Sequence, residues 1–239
     1  MSDPAQTRSF AFGEPDGPLI GTTTVWDGGF CSSFGAPGRV EGTEPDEEWR
    51  LAGDGFELTF EPVGEVAELE LADAGIRSLH QLAHVRGTMA TDDGEREVDC
   101  PGQRSLRLGT LDAKRFAGLR AVSAWFDGET GLAVIAARPR KARGHDTEIL
   151  AGVLLEGGVP VPVTEPRLSS TYTADGTPAR VGLELWFGED EAEQFARRAA
   201  GESIGRPAVC GDPLAASELI GWRMRGRKGI GVYELLRTR

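Results

Sequence analysis

The densest gathering of reactive side chains in this sequence is DCPGQRSLRLG, from Asp99 to Gly109. It holds a carboxylate, a thiol, an amide and two guanidinium groups. Gln103 can donate and accept hydrogen bonds, and Arg104 presents a planar fork suited to a carboxylate or carbonyl. Upstream, His80-Gln81-Leu82-Ala83-His84 spaces two imidazoles four residues apart. The zinc-hydrolase helix with that spacing carries glutamate after the first histidine, and Gln81 stands there. On a strand both rings share a face but lie too far apart for one metal, so no metal site is predicted. One or both histidines lining a cavity is the alternative to a structural role. GESIG, Gly201 to Gly205, matches the nucleophile-elbow pattern, but that mechanism needs a strand before the serine and a helix after it. The reading here has a helix first and Arg206-Pro207 after, so Ser203 is not predicted as a nucleophile.

The elements that must position these groups are mostly strands. In GFELTF, Phe56, Leu58 and Phe60 share one face; in VGLELWF, Val181, Leu183, Leu185 and Phe187 oppose Glu184 and Trp186. Leu119–Phe126, Leu132–Pro139, Glu148–Leu155 and Ile230–Leu236 read the same way. Asp93-Gly94, Asp127-Gly128, Asp175-Gly176 and Gly157-Gly158 punctuate them as hairpin turns. Short strands at this spacing predict an antiparallel barrel or sandwich. One segment departs from the pattern. Glu189–Gly201 has acids first, arginines late and a glycine at its end, the charge order of a short helix.

Composition narrows the function. The 239 residues carry a net charge of −12, a field that repels nucleic acid and anionic lipid. The basic runs Arg138–His145 and Arg223–Gly229 read as solvated loops, or else as a rim for an anionic partner. No apolar run reaches the roughly 20 residues that span a bilayer, and the acidic N-terminus lacks a signal-peptide core. A cytoplasmic protein is the expectation. Cys31, Cys100 and Cys210 are far apart and odd in number, so reduced thiols are predicted.

The wider pattern resembles a known family. It runs Val85–Met89, the hairpin Asp92–Arg96, then EVDCPGQRSLRLG, a W-x-D-G hairpin at Trp125–Gly128, and a closing ELIGWRMRGRKGIGVYELL from Glu218 to Leu236. This resembles the lipocalin-like superfamily of carotenoid 1,2-hydratase and AttH-type proteins, with the related tocopherol-cyclase-like and Diels–Alderase proteins. The likeness covers about residues 80–239 and is clearest at Gly102-Gln103-Arg104 and Gly229–Glu234. It implies an all-β fold of two consecutive antiparallel lipocalin-like barrels or half-barrels: a shortened first unit over 1–80 and a second over 81–239, meeting near 75–85. In that reading Gly102-Gln103-Arg104 is a turn feeding a strand.

The resemblance also implies an apolar pocket inside a barrel and a small isoprenoid- or polyketide-like molecule as partner, with no cofactor. Promoting its cyclisation, isomerisation or hydration is one reading, with His84, Asp99, Arg104 and Glu218 as the catalytic candidates. Gln103, Trp125, Tyr172, Trp186, Trp222 and Tyr233 are the ligand-binding candidates. A carrier without chemistry is the other reading. Where the family often has Asp-His-Ser-Trp, this chain has Ser105-Leu106-Arg107-Leu108. That removes the ring residues thought to protonate and shield a carbocation in the hydratases. Arg104 is expected to pair with a distant carboxylate, Asp99 or Glu218, because an unpaired buried charge costs several kcal/mol.

Overall fold

Alternating apolar side chains give each strand one greasy face, and such faces are buried by wrapping sheets around cores and against each other. The computed structural model describes residues 5–42, 44–142, 147–188, 195–212 and 214–239. It is 72% strand and 2% helix, so the all-β expectation holds. The first sheet comprises β1 (Gln6–Gly13), β2 (Ile20–Trp26), β3 (Gly29–Ser32), β4 (Pro37–Glu41), β5 (Trp49–Gly53), β6 (Phe56–Leu71), β7 (Ile76–Thr91) and β8 (Gly94–Leu108). The second comprises β9 (Phe116–Trp125), β10 (Gly131–Pro139), β11 (Ile149–Glu156), β12 (Val159–Pro162), β13 (Glu165–Tyr172), β14 (Pro178–Phe187) and β15 (Phe195–Pro207), then β17 (Ala215–Met224) and β18 (Arg227–Arg237). Between β15 and β17, the two-residue β16 (Val209–Cys210) crosses over to join the first sheet.

All pairings are antiparallel, and both sheets share one plan. The opening strand sits between its hairpin partner and the last strand of its own half: β2-β1-β8 in the first sheet, β10-β9-β18 in the second. Each sheet wraps a core of its own. Phe10, Phe12, Trp49, Leu51, Leu58 and Phe60 fill the first, while Leu183, Leu185, Ile220, Trp222 and Tyr233 help fill the second. A third core lies between the sheets and draws on both, with Leu69, Leu71, Ile76 and Leu82 meeting Leu119, Trp125, Ile135 and Val232. The two interiors are therefore packed with side chains, and a cavity of about 320 Å³ opens between the sheets.

Four expectations change. The sheet boundary falls in the connection after Leu108, not near 75–85, because β7 and β8 pair with β6 and β1. Residues 81–108 thus belong to the first sheet. Of the expected helix Glu189–Gly201, residues 189–194 lie outside the described residues, and the rest is strand, paired along β14 from Phe187↔Phe195 to Val181↔Gly201. Gly102-Gln103-Arg104 is not a turn feeding a strand but lies, with Pro101 before it, inside β8. Pro101 stands opposite His84 on β7, while the pairing with β1 starts only at Gly102, so on the β1 side no ladder bond needs its missing N–H. Gly102 is required by proximity: a Cβ would stand 2.3 Å from the Ala11 carbonyl oxygen.

The fourth change concerns the thiols. Cys31 and Cys210, 179 residues apart, form a disulfide that fastens β16 to β3, and Cys100 is free. Folding brings the two together across the edge of the first sheet, which wide spacing in sequence neither reveals nor forbids. Arg143–His145 of the first basic run also lie outside the described residues.

Candidate functional site

The face that the first sheet turns toward the second is unusually polar, and strand register explains its order. Residues directly opposite on neighbouring strands form rows, and rows two residues apart share a face. One row runs Thr22, Ala11, Gln103, Leu82. The next runs Cys210, Cys31, Thr24, Ser9, Ser105, His80. A third runs Trp26, Thr7, Arg107, Ser78. Facing them on the second sheet is Glu234 of β18, flanked in register by Ala121 and Ser217. These small neighbours leave room around the carboxylate.

Glu234 is the hub of the arrangement. Ser9 Oγ donates to its Oε1 at 2.6 Å, and Thr24 Oγ1 donates to the same atom. Arg107 Nη1 lies 3.3 Å from Oε2, with both side chains 14% exposed. Three donors converging on one carboxylate fix its direction. His80 sits two residues from Ser78 on β7, and Ser78 Oγ lies 2.9 Å from its Nε2. Burial pushes the imidazole down to about 4, with Glu234 opposing and Arg107 reinforcing the shift, so His80 is neutral near pH 7.

Several polar atoms at this interface have no protein partner. They are His80 Nδ1, both amide atoms of Gln103, Thr22 Oγ1 and Ser217 Oγ. Buried polar groups are normally satisfied, and here four open atoms of Thr22, His80 and Gln103 surround one narrow crevice, with Ser217 Oγ beside the adjoining cavity. The crevice is about 20 Å³. It adjoins a larger cavity of about 320 Å³ that shares Arg107 and Glu234 with it. The cavity walls are mainly apolar, including Ile76, Leu111, Leu119, Leu235 and Leu236, with Trp26 on the first-sheet side. An apolar chamber with a polar floor is the form of a site that buries a greasy molecule and fixes one polar end of it.

The residues singled out from sequence are distributed over six places. Gln103 faces the crevice. Trp125 belongs to the inter-sheet core, where its Nε1 donates to the Gly13 carbonyl at 2.8 Å. His84 and Asp99 meet through Nε2 and Oδ1 on an outer rim, with side chains 39% and 61% exposed. Tyr233 and Glu218 are buried in the second sheet, opposed in register, and the exposed Tyr172 reaches Tyr233 with the two hydroxyls 2.7 Å apart. Burial drives both Tyr233 and Glu218 upward, favouring their neutral forms. Ser203 donates to Glu218. Trp222 packs in the same core, and Trp186 lies on the opposite face under the Arg167 guanidinium at 5.5 Å.

Arg104 corrects the ion-pair expectation. It points into the first sheet's core, 1% exposed, and no carboxylate is among its partners. Nε and Nη2 donate to Gln81 Oε1 at 3.2 and 2.7 Å, and Nη1 donates to the Phe60 carbonyl at 3.2 Å. The carbonyls of Glu47 and Pro45 accept from Nη1 and Nη2, and the guanidinium lies 4.6 Å from the Trp49 ring centroid. Backbone dipoles and a π face here replace the carboxylate. Burial lowers its pKa to about 10, which leaves it charged.

Sequence reasoning missed Glu234, Arg107, Ser9, Thr24 and His80 as a group. They come from five strands, and the signal that could have found them is the polar residue on the inward face of otherwise apolar strands. It also missed Arg120, buried in the second sheet beside Glu148, Ser170 and Tyr233. Among the described residues, no three His, Cys, Asp or Glu side chains converge on a metal position. No helix is long and apolar enough to cross a membrane.

Two comparisons with known sequences find nothing: no family model and no curated protein matches the chain. Solved structures do match. Kievitone hydratase from Nectria haematococca is 11% identical over 98% of this chain and 89% of its own, with a TM-score of 0.62. CghA with Sch210972 is 13% identical over 99% and 89%, with a TM-score of 0.57. Both are lipocalin-like proteins of the carotenoid-hydratase and AttH type. This chain shares their fold, as the resemblance in its sequence implied.

Proposed function

We propose that the cavity between the sheets binds a small apolar molecule, isoprenoid- or polyketide-like, and promotes its cyclisation, isomerisation or hydration. The observation that carries this reading is the set of unpartnered polar atoms around the anchored Glu234, opening onto an apolar chamber. The chamber holds the hydrocarbon part and excludes water. Gln103 can donate to a carbonyl or hydroxyl on the ligand. His80, neutral and with Nδ1 open, can give or take a proton according to its tautomer. The Glu234–Arg107 pair sets the polar end of the chamber. Confinement of a flexible chain in one reactive shape, plus a single proton donor, suffices for such reactions. The leucines at 106 and 108, in place of the hydratase ring residues, favour the second reading, a carrier with the same cavity.

A fluorescent apolar carboxylate, 11-(dansylamino)undecanoic acid, tests the site. Gln103→Ala is expected to weaken its binding about tenfold, equivalent to 1.4 kcal/mol, with an unchanged melting temperature because the amide has no protein partner. Leu119→Arg should block the chamber. Binding indifferent to both variants would remove the ligand from this cavity. Turnover is read by incubating acyclic polyenes and linear polyketides with the protein and following products by mass spectrometry. If the chain is an enzyme, His80→Asn lowers the rate roughly 10²- to 10⁴-fold, the usual worth of a general acid or base. A carrier returns every compound unchanged.

A further inference from the structure

The Cys31–Cys210 disulfide ties the segment that crosses between the two cavity walls to the first sheet, beside a short run of backbone pairing. The cavity of about 320 Å³ has one wall from the first sheet, including Thr24 and Cys31, and one from the second, including Ala215 and Ser217. The segment between β15 and β17 leaves the second sheet, touches the first and returns. Ala208 N donates to the Ser217 carbonyl at 2.9 Å, β16 pairs Val209↔Ser32 and Cys210↔Cys31, and Gly211 N donates to the Phe30 carbonyl at 2.9 Å. Asp212 then lines the cavity itself. This strap therefore lies at the mouth, and its grip on the first sheet is a two-residue strand plus one covalent bond.

Register extends the effect inward. Cys31 stands opposite Thr24 on β2, and Thr24 is one of the two hydroxyls that hold Glu234. The disulfide, Thr24, Ser9, Ser105 and His80 occupy one row across the sheet. β3 is only four residues long and has β2 on one side and β16 on the other. Releasing β16 leaves β3 as a free edge, and short edge strands are where sheets open first. Val209, 75% exposed, already shows how little else holds the strap down.

We propose that this disulfide is a redox latch on the cavity: oxidised, it holds the two walls and the Thr24–Glu234 floor in register; reduced, it frees the strap and opens the mouth. The inference rests on the cavity being the ligand site. The chemistry needs a dithiol reductant. Its thiolate attacks Sγ of Cys210, the more accessible partner, and the Cys31 thiolate leaves and takes a proton. The second thiol of the reductant resolves the mixed disulfide and releases Cys210. Two electrons and two protons pass to the protein, and the reductant departs as its own disulfide.

Stopped-flow displacement of 11-(dansylamino)undecanoic acid from the full chain tests it. Three forms are compared: oxidised, reduced with dithiothreitol, and Cys31→Ser/Cys210→Ser. The latch predicts dissociation at least tenfold faster in both disulfide-free forms, with near-ultraviolet circular dichroism and cooperative urea unfolding retained. Equal dissociation rates in all three would overturn the latch and leave the cavity reading standing. A probe that binds none of the forms overturns both. If the double variant loses its cooperative transition, the bond is a structural staple and the latch is wrong.

Discussion

Arg104 shows how much a single side chain can organise without a counter-ion. Its donors reach Gln81, Phe60, Glu47 and Pro45, so it tethers the segment before β5 to β6, β7 and β8. Arg104→Ala leaves those acceptors unsatisfied in a core, and a loss of roughly 2–4 kcal/mol in urea unfolding is expected. Arg104→Lys should recover only part of it, since a point charge cannot serve four acceptors at once. His80 gives a pH signature of opposite origin. Its pKa falls from 6.5 to about 4 on folding, so between those values the unfolded chain binds more protons. Stability present above pH 6.5 is therefore lost as pH falls toward 4, by up to roughly 3 kcal/mol. His80→Gln should flatten that limb when unfolding free energy is measured from pH 7 to 4. The sequence marked Gln103 and Arg104 as special, and both are buried. It could not say that one faces the crevice and the other a core, because that depends on which face of β8 meets which sheet. Glu234 was invisible as a hub because Ser9 and Thr24 lie more than 200 residues away in sequence.

At the level of elements, period-two alternation was a sufficient guide wherever a strand had one apolar face, as in Phe56–Phe60 and Val181–Phe187. It failed for β15. Phe195, Ala199 and neighbouring arginines fit a helical stripe as well as they fit an edge pattern, and the charge order of Glu189–Arg198 tipped the reading toward helix. Pairing on both sides decides otherwise: Ala199 and Gly201 bond in register to Leu183 and Val181 on β14 and to Met224 and Trp222 on β17. Helix-favouring alanines in a central strand follow from crowding. A Cβ on Gly201 would stand 2.5 Å from Ile220 and 3.0 Å from the Trp222 ring, so only small residues fit under that indole. Gly201→Val is accordingly expected to destabilise the second sheet by about 2 kcal/mol or more through overpacking, despite valine's higher strand propensity. Chemical denaturation followed by the near-ultraviolet signal of Trp222 would register it. The disulfide belongs to this scale too, since pairing of β16 with β3 depends on a crossover that local sequence does not encode.

Across the whole molecule, the two sheets repeat one strand plan yet are joined through a core to which both contribute. The sequence pointed to two consecutive β units, but it placed their junction some 30 residues early because hairpins look alike whether or not they change sheet. The shared core has a thermodynamic consequence. Leu82 on β7 and Leu119 on β9 are 1% and 2% exposed and belong to the same inter-sheet cluster, so neither half keeps its apolar back covered if the other unfolds. The protein should therefore unfold in one transition. Trp49 reports on the first sheet's core and Trp222 on the second's. Variants retaining only one of these tryptophans should give superimposable fluorescence melts once each is referenced to its own stability by circular dichroism. Leu82→Ala or Leu119→Ala, each expected to cost roughly 2–4 kcal/mol, should move both probes together. Two separated transitions, with Leu119→Ala moving only the Trp222 signal, would show that the sheets are independent and that the core between them is a contact surface, not a common foundation.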